Sequence, residues 1–237
     1  MEIQTFESLE LTVESASNCL LNLLESNPEH SLLLCSGGSA FQMLPGILPS
    51  ELAKRLTFSV LDERLSNDPE INNFLQLQNT DFFKSATASG ATFISTVPES
   101  FDTTETFAEK MTELITAWTL EFPKGKIFAT LGMGVDGHTA GILPHPEDPT
   151  LFGMLFDDPS FWIKGYNAKN KHKCPNRVTV TNIFLTKKID SGIAFVVGPD
   201  KQTSFSKLNQ SKENLAEIPA RIWYRMKDVH VFTDIKN

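Results

Sequence analysis

The chain has 237 residues, 41% hydrophobic and 10% aromatic, which is enough for a sizeable core in one large domain or two small ones. The 29 acidic residues outweigh the 21 basic ones, for a formal charge of −8, and no basic block stands anywhere. Nucleic acid is therefore set aside as a principal partner, because phosphate-backbone binding relies on clustered Lys and Arg; a small anionic ligand needs only two or three well-placed cations and is not set aside.

The opening MEIQTFESLE has neither the basic n-region nor the apolar run of a signal peptide. No uncharged apolar stretch approaches the roughly 20 residues that span a bilayer. Cys19, Cys35 and Cys174 lie far apart and form no CxxC pair, so they read as buried thiols of a reducing compartment. A cytoplasmic protein that does not enter the membrane is expected.

In chain order, Val13, Ala16, Leu20, Leu23 and Leu24 form a helical stripe within residues 10–26. SLLLCSGG (31–38) reads as a buried strand running into a tight turn, and LTFSVLDER (56–64) as an apolar run ending in charge. ATFISTV (91–97) predicts a third strand, TETFAEKMTELITAW a helix, and KIFATLGMG (126–134) a fourth strand. The Pro-rich LPHPEDP reads as a loop after a helix. FWIKGYN, RVTVT and GIAFVVG follow, then a polar helical segment and the closing DVHVFTD. Apolar strands alternating with helices predict an α/β fold: a mostly parallel, doubly wound, Rossmann-like sheet with helices on both faces. With no internal repeat or linker, residues 1–237 are expected to form a single domain.

Three strands end in unusual residues: Ser36-Gly37-Gly38-Ser39, Asp62-Glu63-Arg64, and Gly132 to His138. In an open parallel sheet, ligands sit outside the C-terminal strand ends, so parallel alignment would bring all three to one crevice. A Gly-Gly turn lets backbone approach a ligand and aims N–H groups at an anion, although such a turn is as often pure geometry. It is neither a Walker loop nor a GxGxxG fingerprint. A charged run such as Asp62-Glu63-Arg64 is, by itself, as often solvated surface. Asp136 and His138 are different: two residues apart, they cannot face each other on a helix, but in a glycine-bent turn they can. The carboxylate would then fix the orientation and tautomer of an imidazole suited to proton transfer near neutrality.

Taken in order, the strand before SGGS, then LDER, LGMGVDGHTA, NRVTVT and GPDK resemble the 6-phosphogluconolactonases. These stand with the glucosamine-6-phosphate deaminases and ribose-5-phosphate isomerases in one sugar-phosphate superfamily. The resemblance runs from about residue 10 to the closing IPARIWYRMKDVHVFTD. It implies hydrolysis of a sugar-phosphate lactone, 6-phospho-D-glucono-1,5-lactone, by water, with His138 as general base and Asp136 beside it. Arg64 and Lys201 fall where the family places cations for the phosphate, with Arg177 a third candidate. Gly37 and Gly38 match the turn lining the sugar site, and Ser39, Asp62, Gly134 and Gly137 complete the expected substrate-binding set. Oxyanion donors are expected from the Gly37-Gly38 turn or from the glycine-rich turn before His138. No metal or other cofactor is required, and a monomer or small homo-oligomer is expected.

Val135 stands where the family usually has an acidic residue, Asn72-Asn73-Phe74 replaces a Ser-Asn-Tyr-like element, and AGILPH replaces Ala-Ser-Leu-Phe-Pro-Gly. Glucosamine-6-phosphate deaminases are the nearest alternative. Their catalytic glutamate would fall on Leu143, and they tend to carry tyrosine where Arg64 stands. A non-catalytic sugar-phosphate sensor is the third reading, but the chain has no spare residues for a helix-turn-helix.

Overall fold

The computed structural model of the chain describes residues 1–171, 173–210 and 214–236. Its strands are β1 (Glu2–Thr5), β2 (Ser31–Cys35), β3 (Leu56–Val60), β4 (Asp62–Arg64), β5 (Thr92–Phe93), β6 (Lys126–Gly132), β7 (Ile163–Asn167), β8 (Asn176–Val180), β9 (Ser191–Val196) and β10 (Val229–Thr233). Its helices are α1 (Leu9–Ser26), α2 (Ser50–Ala53), α3 (Asn73–Gln78), α4 (Asp81–Ala88), α5 (Thr104–Glu121), α6 (Pro149–Phe156), α7 (Asn182–Lys187) and α8 (Gln202–Gln210).

The central strands are apolar because they are buried on both sides. Along β2, Leu32 and Leu34 enter one apolar core while Leu33 and Cys35 enter the other; on β9, Ala194 and Val196 divide from Ile193 and Phe195 in the same way. Seven strands form an all-parallel sheet in the order β1-β10-β9-β6-β2-β3-β5. Helices α1, α2 and α4 fill one face through Leu20, Leu24, Leu52 and Phe82. Helices α5, α7 and α8 cover the other through Phe107, Trp118, Phe184 and Phe205. Most helices start where the sequence supplies a cap: the side chains of Ser8, Asn72, Thr80, Thr103, Asp148 and Thr181 each accept a first-turn N–H.

The remaining strands form a second, antiparallel sheet in the order β4-β8-β7. The mostly parallel, doubly wound architecture is therefore as expected, with FWIKGYN and RVTVT diverted into this smaller sheet. Asp62–Arg64 is not merely the frayed end of β3 but a strand of its own.

Three local expectations are corrected. The strand expected over 91–97 is only Thr92–Phe93, because Thr96 turns inward to donate its hydroxyl to Glu63 at 2.9 Å. LPHPEDP follows no helix; it leads into α6, whose first turn Asp148 caps. Of the three thiols only Cys35 is buried, whereas Cys19 and Cys174 are half-buried. The N-terminal strand β1 was not anticipated, and it pairs in parallel with β10.

Phe58 on β3 is the centre of an aromatic cluster, edge-on to Phe82 and Phe83 at 5.2 and 5.4 Å and tilted against Phe93 at 6.2 Å. Phe58→Ala leaves a cavity among rings that cannot collapse into it, and should cost about 3–5 kcal/mol. Urea unfolding followed by circular dichroism checks this; a loss under about 1 kcal/mol would contradict the packing described.

Candidate active site

At the C-terminal ends of β2, β3 and β6 lies a cleft of about 320 Å³. Among the residues singled out from sequence, Gly37, Gly38, Ser39, Asp62, Arg64, Gly134, His138, Arg177 and Lys201 line it. The three strand ends thus meet in one place. Asp136 reaches the cleft through His138. Gly137 faces the other way: its carbonyl accepts from Ala220 N at 3.1 Å, and a Cβ there would strike Ile218. Its φ of +86° is a conformation L side chains rarely adopt, so this position is glycine on two counts.

His138 Nδ1 lies 2.6 Å from Asp136 Oδ1, and the same oxygen accepts the His138 backbone N–H at 3.1 Å. Partial burial raises the Asp136 carboxyl, but the bond and charge of His138 outweigh it, and the group is held below its ordinary value. A carboxylate at Nδ1 makes that nitrogen the donor and leaves Nε2 with a lone pair. The imidazole lies over Gly134, where any Cβ would overlap the ring.

The cations differ in setting. Arg64 Nη1 donates to Ile71 O at 2.9 Å. Arg177 is paired opposite Arg64 in the β4–β8 register, is only 2% exposed, and places Nη1 3.6 Å from Asp62 Oδ2. It is thus the partner of a buried carboxylate as well as part of the wall. Lys201 Nζ donates to Ser39 Oγ at 3.2 Å; its burial lowers the ammonium's pKa, with Asp200 and Asp234 opposing.

Glu63, named only within the Asp62-Glu63-Arg64 run, and Asn73, named only within the Asn72-Asn73-Phe74 departure, were not expected to be site residues. Buried Glu63 accepts N–H groups from Arg64 (2.7 Å), Asn73 (2.7 Å) and Phe74 (3.0 Å), so it clamps the start of α3 to β4. Asn73 lines the cleft, donates Nδ2–H to Asp62 O at 2.8 Å, and sets its amide against Gly37, where a Cβ would collide with it. The signals in the sequence were the charged run that contains Glu63 and the Asn72-Asn73-Phe74 departure from the family's Ser-Asn-Tyr-like element.

After His138 the chain makes a tight turn, with Ile142 N donating to Thr139 O at 2.7 Å. Both central residues have positive φ, Ala140 at 49° and Gly141 at 74°, which makes it a type I′ turn. For alanine this costs roughly 1–2 kcal/mol. The second sheet holds the turn: Thr179 Oγ1 donates to Ala140 O, and Tyr166 Oη to Gly141 O at 2.5 Å. A Cβ on Gly141 would run into the Asp62 carboxylate.

A charged cleft outside the carboxyl ends of an open parallel sheet is the ligand site of an α/β protein. Residues 7–232 match the family of glucosamine-6-phosphate isomerases and 6-phosphogluconolactonase, and the chain belongs to that family. It is 25% identical over 217 residues to a 6-phosphogluconolactonase of Borreliella burgdorferi, covering 87% of this chain and 84% of that one. Its fold is similar to that of a 6-phosphogluconolactonase from Shewanella baltica (TM-score 0.75, 19% identity, 98% of this chain and 97% of the other). It is also similar to one from Plasmodium vivax (TM-score 0.72, 15% identity, 99% and 91%).

Burial raises the Glu63 carboxyl to about 7 despite its hydrogen bonds to three backbone N–H groups and the Thr96 hydroxyl. The folded state then binds more protons than the unfolded chain between about pH 4.5 and 7, and this contribution to stability is lost as pH rises through that window. Glu63→Gln does not titrate and cannot accept all four donors, so it should melt lower than wild type at every pH. The gap between the two melting temperatures should narrow from pH 4.5 to 7 and level off above; a gap that widens with pH would show the carboxylate form to be the favoured one.

Proposed function

We propose that the chain is a 6-phosphogluconolactonase, hydrolysing 6-phospho-D-glucono-1,5-lactone to 6-phosphogluconate in the oxidative branch of the pentose phosphate pathway. The observation that carries this reading is the 2.6 Å contact between His138 and Asp136 at the wall of a cleft that also holds Arg64, Arg177 and Lys201. A base and a cluster of cations suit a neutral reacting carbon tethered to a distant phosphate. Leu143, where the deaminases have glutamate, is buried in the core and cannot titrate.

In this mechanism His138 Nε2 takes a proton from water as the water oxygen bonds to C1 of the lactone. The carbonyl π pair moves onto its oxygen. When the tetrahedral intermediate collapses, the C1–ring oxygen bond breaks and the imidazolium returns its proton to the departing alkoxide. Asp136 holds the ring in register and offsets the imidazolium charge. Arg64 and Lys201 grip the phosphate, with Arg177 at the back of the cleft, so remote binding positions the reacting carbon. Residues 1–237 act as one domain, on a soluble substrate, without cofactor or nucleic acid, in the cytoplasm, as a monomer or small homo-oligomer.

His138→Asn keeps size and some hydrogen bonding but removes the proton acceptor. Its kcat should fall by about 10²–10⁴, with melting temperature and 6-phosphogluconate affinity retained. Measured against the spontaneous hydrolysis of fresh lactone, a folded, product-binding variant with wild-type turnover would move the base elsewhere, Asp62 first.

Neutralising Arg64 or Lys201 should raise KM by several-fold to hundreds-fold, since a charge-assisted hydrogen bond contributes roughly 1.5–3 kcal/mol. Unphosphorylated gluconolactone should be a poor substrate for the wild type. Equal turnover of the two lactones would exclude a phosphate-reading role for these cations.

A further inference from the structure

We propose that the oxyanion donor of the reaction is the backbone N–H of Gly141, in the turn after His138, and that Tyr166 and Thr179 are positioning residues that aim it. The inference rests on the lactonase reading of the site. It assigns the donor to neither of the turns that the sequence brings forward, the Gly37-Gly38 turn and the glycines before His138.

A trans peptide is planar, so the carbonyl of Ala140 and the N–H of Gly141 point in opposite directions. The carbonyl is taken by the hydroxyl of Thr179 on β8. The N–H is thereby turned away from the second sheet, and it has no hydrogen-bond partner among the described residues. Ala140 and Gly141 line the same cleft as His138. The next carbonyl, that of Gly141, is taken by buried Tyr166 on β7. Two hydroxyls from adjacent strands therefore fix both carbonyls of a turn whose first central residue, Ala140, holds an unfavourable φ.

An unpaired N–H fixed in direction before substrate arrives suits a charge that exists only in the transition state, because no reorganisation is needed as that charge forms. Asp62 beside Gly141 does not oppose this, since Arg177 stands at 3.6 Å to offset its carboxylate. In the reaction, water oxygen bonds to C1, the carbonyl pair moves to the exocyclic oxygen, and that oxygen accepts from Gly141 N–H until collapse expels the ring oxygen.

The test has two arms. In 15N-labelled wild-type protein titrated with 6-phosphogluconate, whose carboxylate oxygen takes the place of the oxyanion, the Gly141 amide proton should move downfield. In the second arm, Tyr166→Phe and Thr179→Val should lower kcat, toward the about 10²–10³ that losing an oxyanion donor costs, with KM unchanged. Thr179→Ser, which restores the hydroxyl, should restore kcat. Lower melting temperatures with wild-type kcat in both variants would reduce the two hydroxyls to structural props and overturn the proposal. A Gly141 amide unmoved by saturating product would overturn it as well, even if the variants fail to fold. A wild-type protein that binds product but does not hydrolyse the lactone would overturn the lactonase reading and the proposal with it. Hydrolysis with an unmoved amide overturns the proposal alone.

Discussion

The backbone of Leu61 is hydrogen-bonded into both sheets: its N–H donates to Cys35 O of the parallel sheet at 3.0 Å, and its carbonyl accepts from Val180 N of the antiparallel sheet at 3.2 Å. Where β3 would otherwise run out into solvent, the chain is captured and turned, and Asp62 and Arg64 are delivered over the ends of β2 and β6. The smaller sheet then does two jobs. Through β8 it sets Arg177 opposite Arg64, and through Thr179 and Tyr166 it grips the loop after His138. Asp62, Arg64 and Arg177 are located by that change of sheet, and His138 through the loop that follows it; Lys201 is set separately, after β9, where it donates to Ser39. Glu63 completes the arrangement from behind, because a carboxylate that takes three backbone N–H groups fixes β4 and the head of α3 as one unit.

Local charge in the cleft runs against the balance of the whole chain. The formal charge is −8, yet Arg64, Arg177 and Lys201 converge on one cleft in which, among the described residues, the only carboxylate-bearing wall residue, Asp62, is paired with Arg177. A concave site with partly desolvated cations concentrates an anionic ligand through its own field, over distances shorter than the roughly 8 Å at which physiological salt screens the rest of the surface. Lowering of the Lys201 pKa by burial is the other side of the same fact: an ammonium short of water gains the more from an arriving anion.

What the sequence makes legible is whatever periodicity or motif spacing encodes. Strands β2, β3, β6 and β9 are uninterrupted apolar runs because both faces are buried, and α1 and α5 carry stripes long enough to read. The meeting of three strand ends follows from parallel alignment. By contrast, β1 is four residues on a sheet edge, too short for any period to register, and β5 is cut short by the demand of Glu63 for the Thr96 hydroxyl. Nothing in RVTVT or FWIKGYN states which sheet they join, since that depends on the long-range pairing to β4. Arg177 is visible as a cation, but not as the buried partner of Asp62. Tyr166 and Thr179 look like ordinary strand residues; only the fold shows that their hydroxyls face a carbonyl about 25 and 39 residues earlier.

The order of strands bears on how the molecule is made. Among the described residues, strand β1 hydrogen-bonds to β10 alone, and β10 follows every other described strand in sequence. At translation rates of roughly 5–20 residues per second, the residues of β1 wait on the order of tens of seconds before their only sheet partner has been synthesised. Once β9 has itself been synthesised, it too is an open edge until β10, its outer neighbour, arrives. The sheet therefore closes on that side from the middle outward, with β1 docking last. Such non-local pairing bears its loop-closure entropy before any contact repays it, and that makes the nascent chain, more than the finished one, the form exposed to edge-to-edge association.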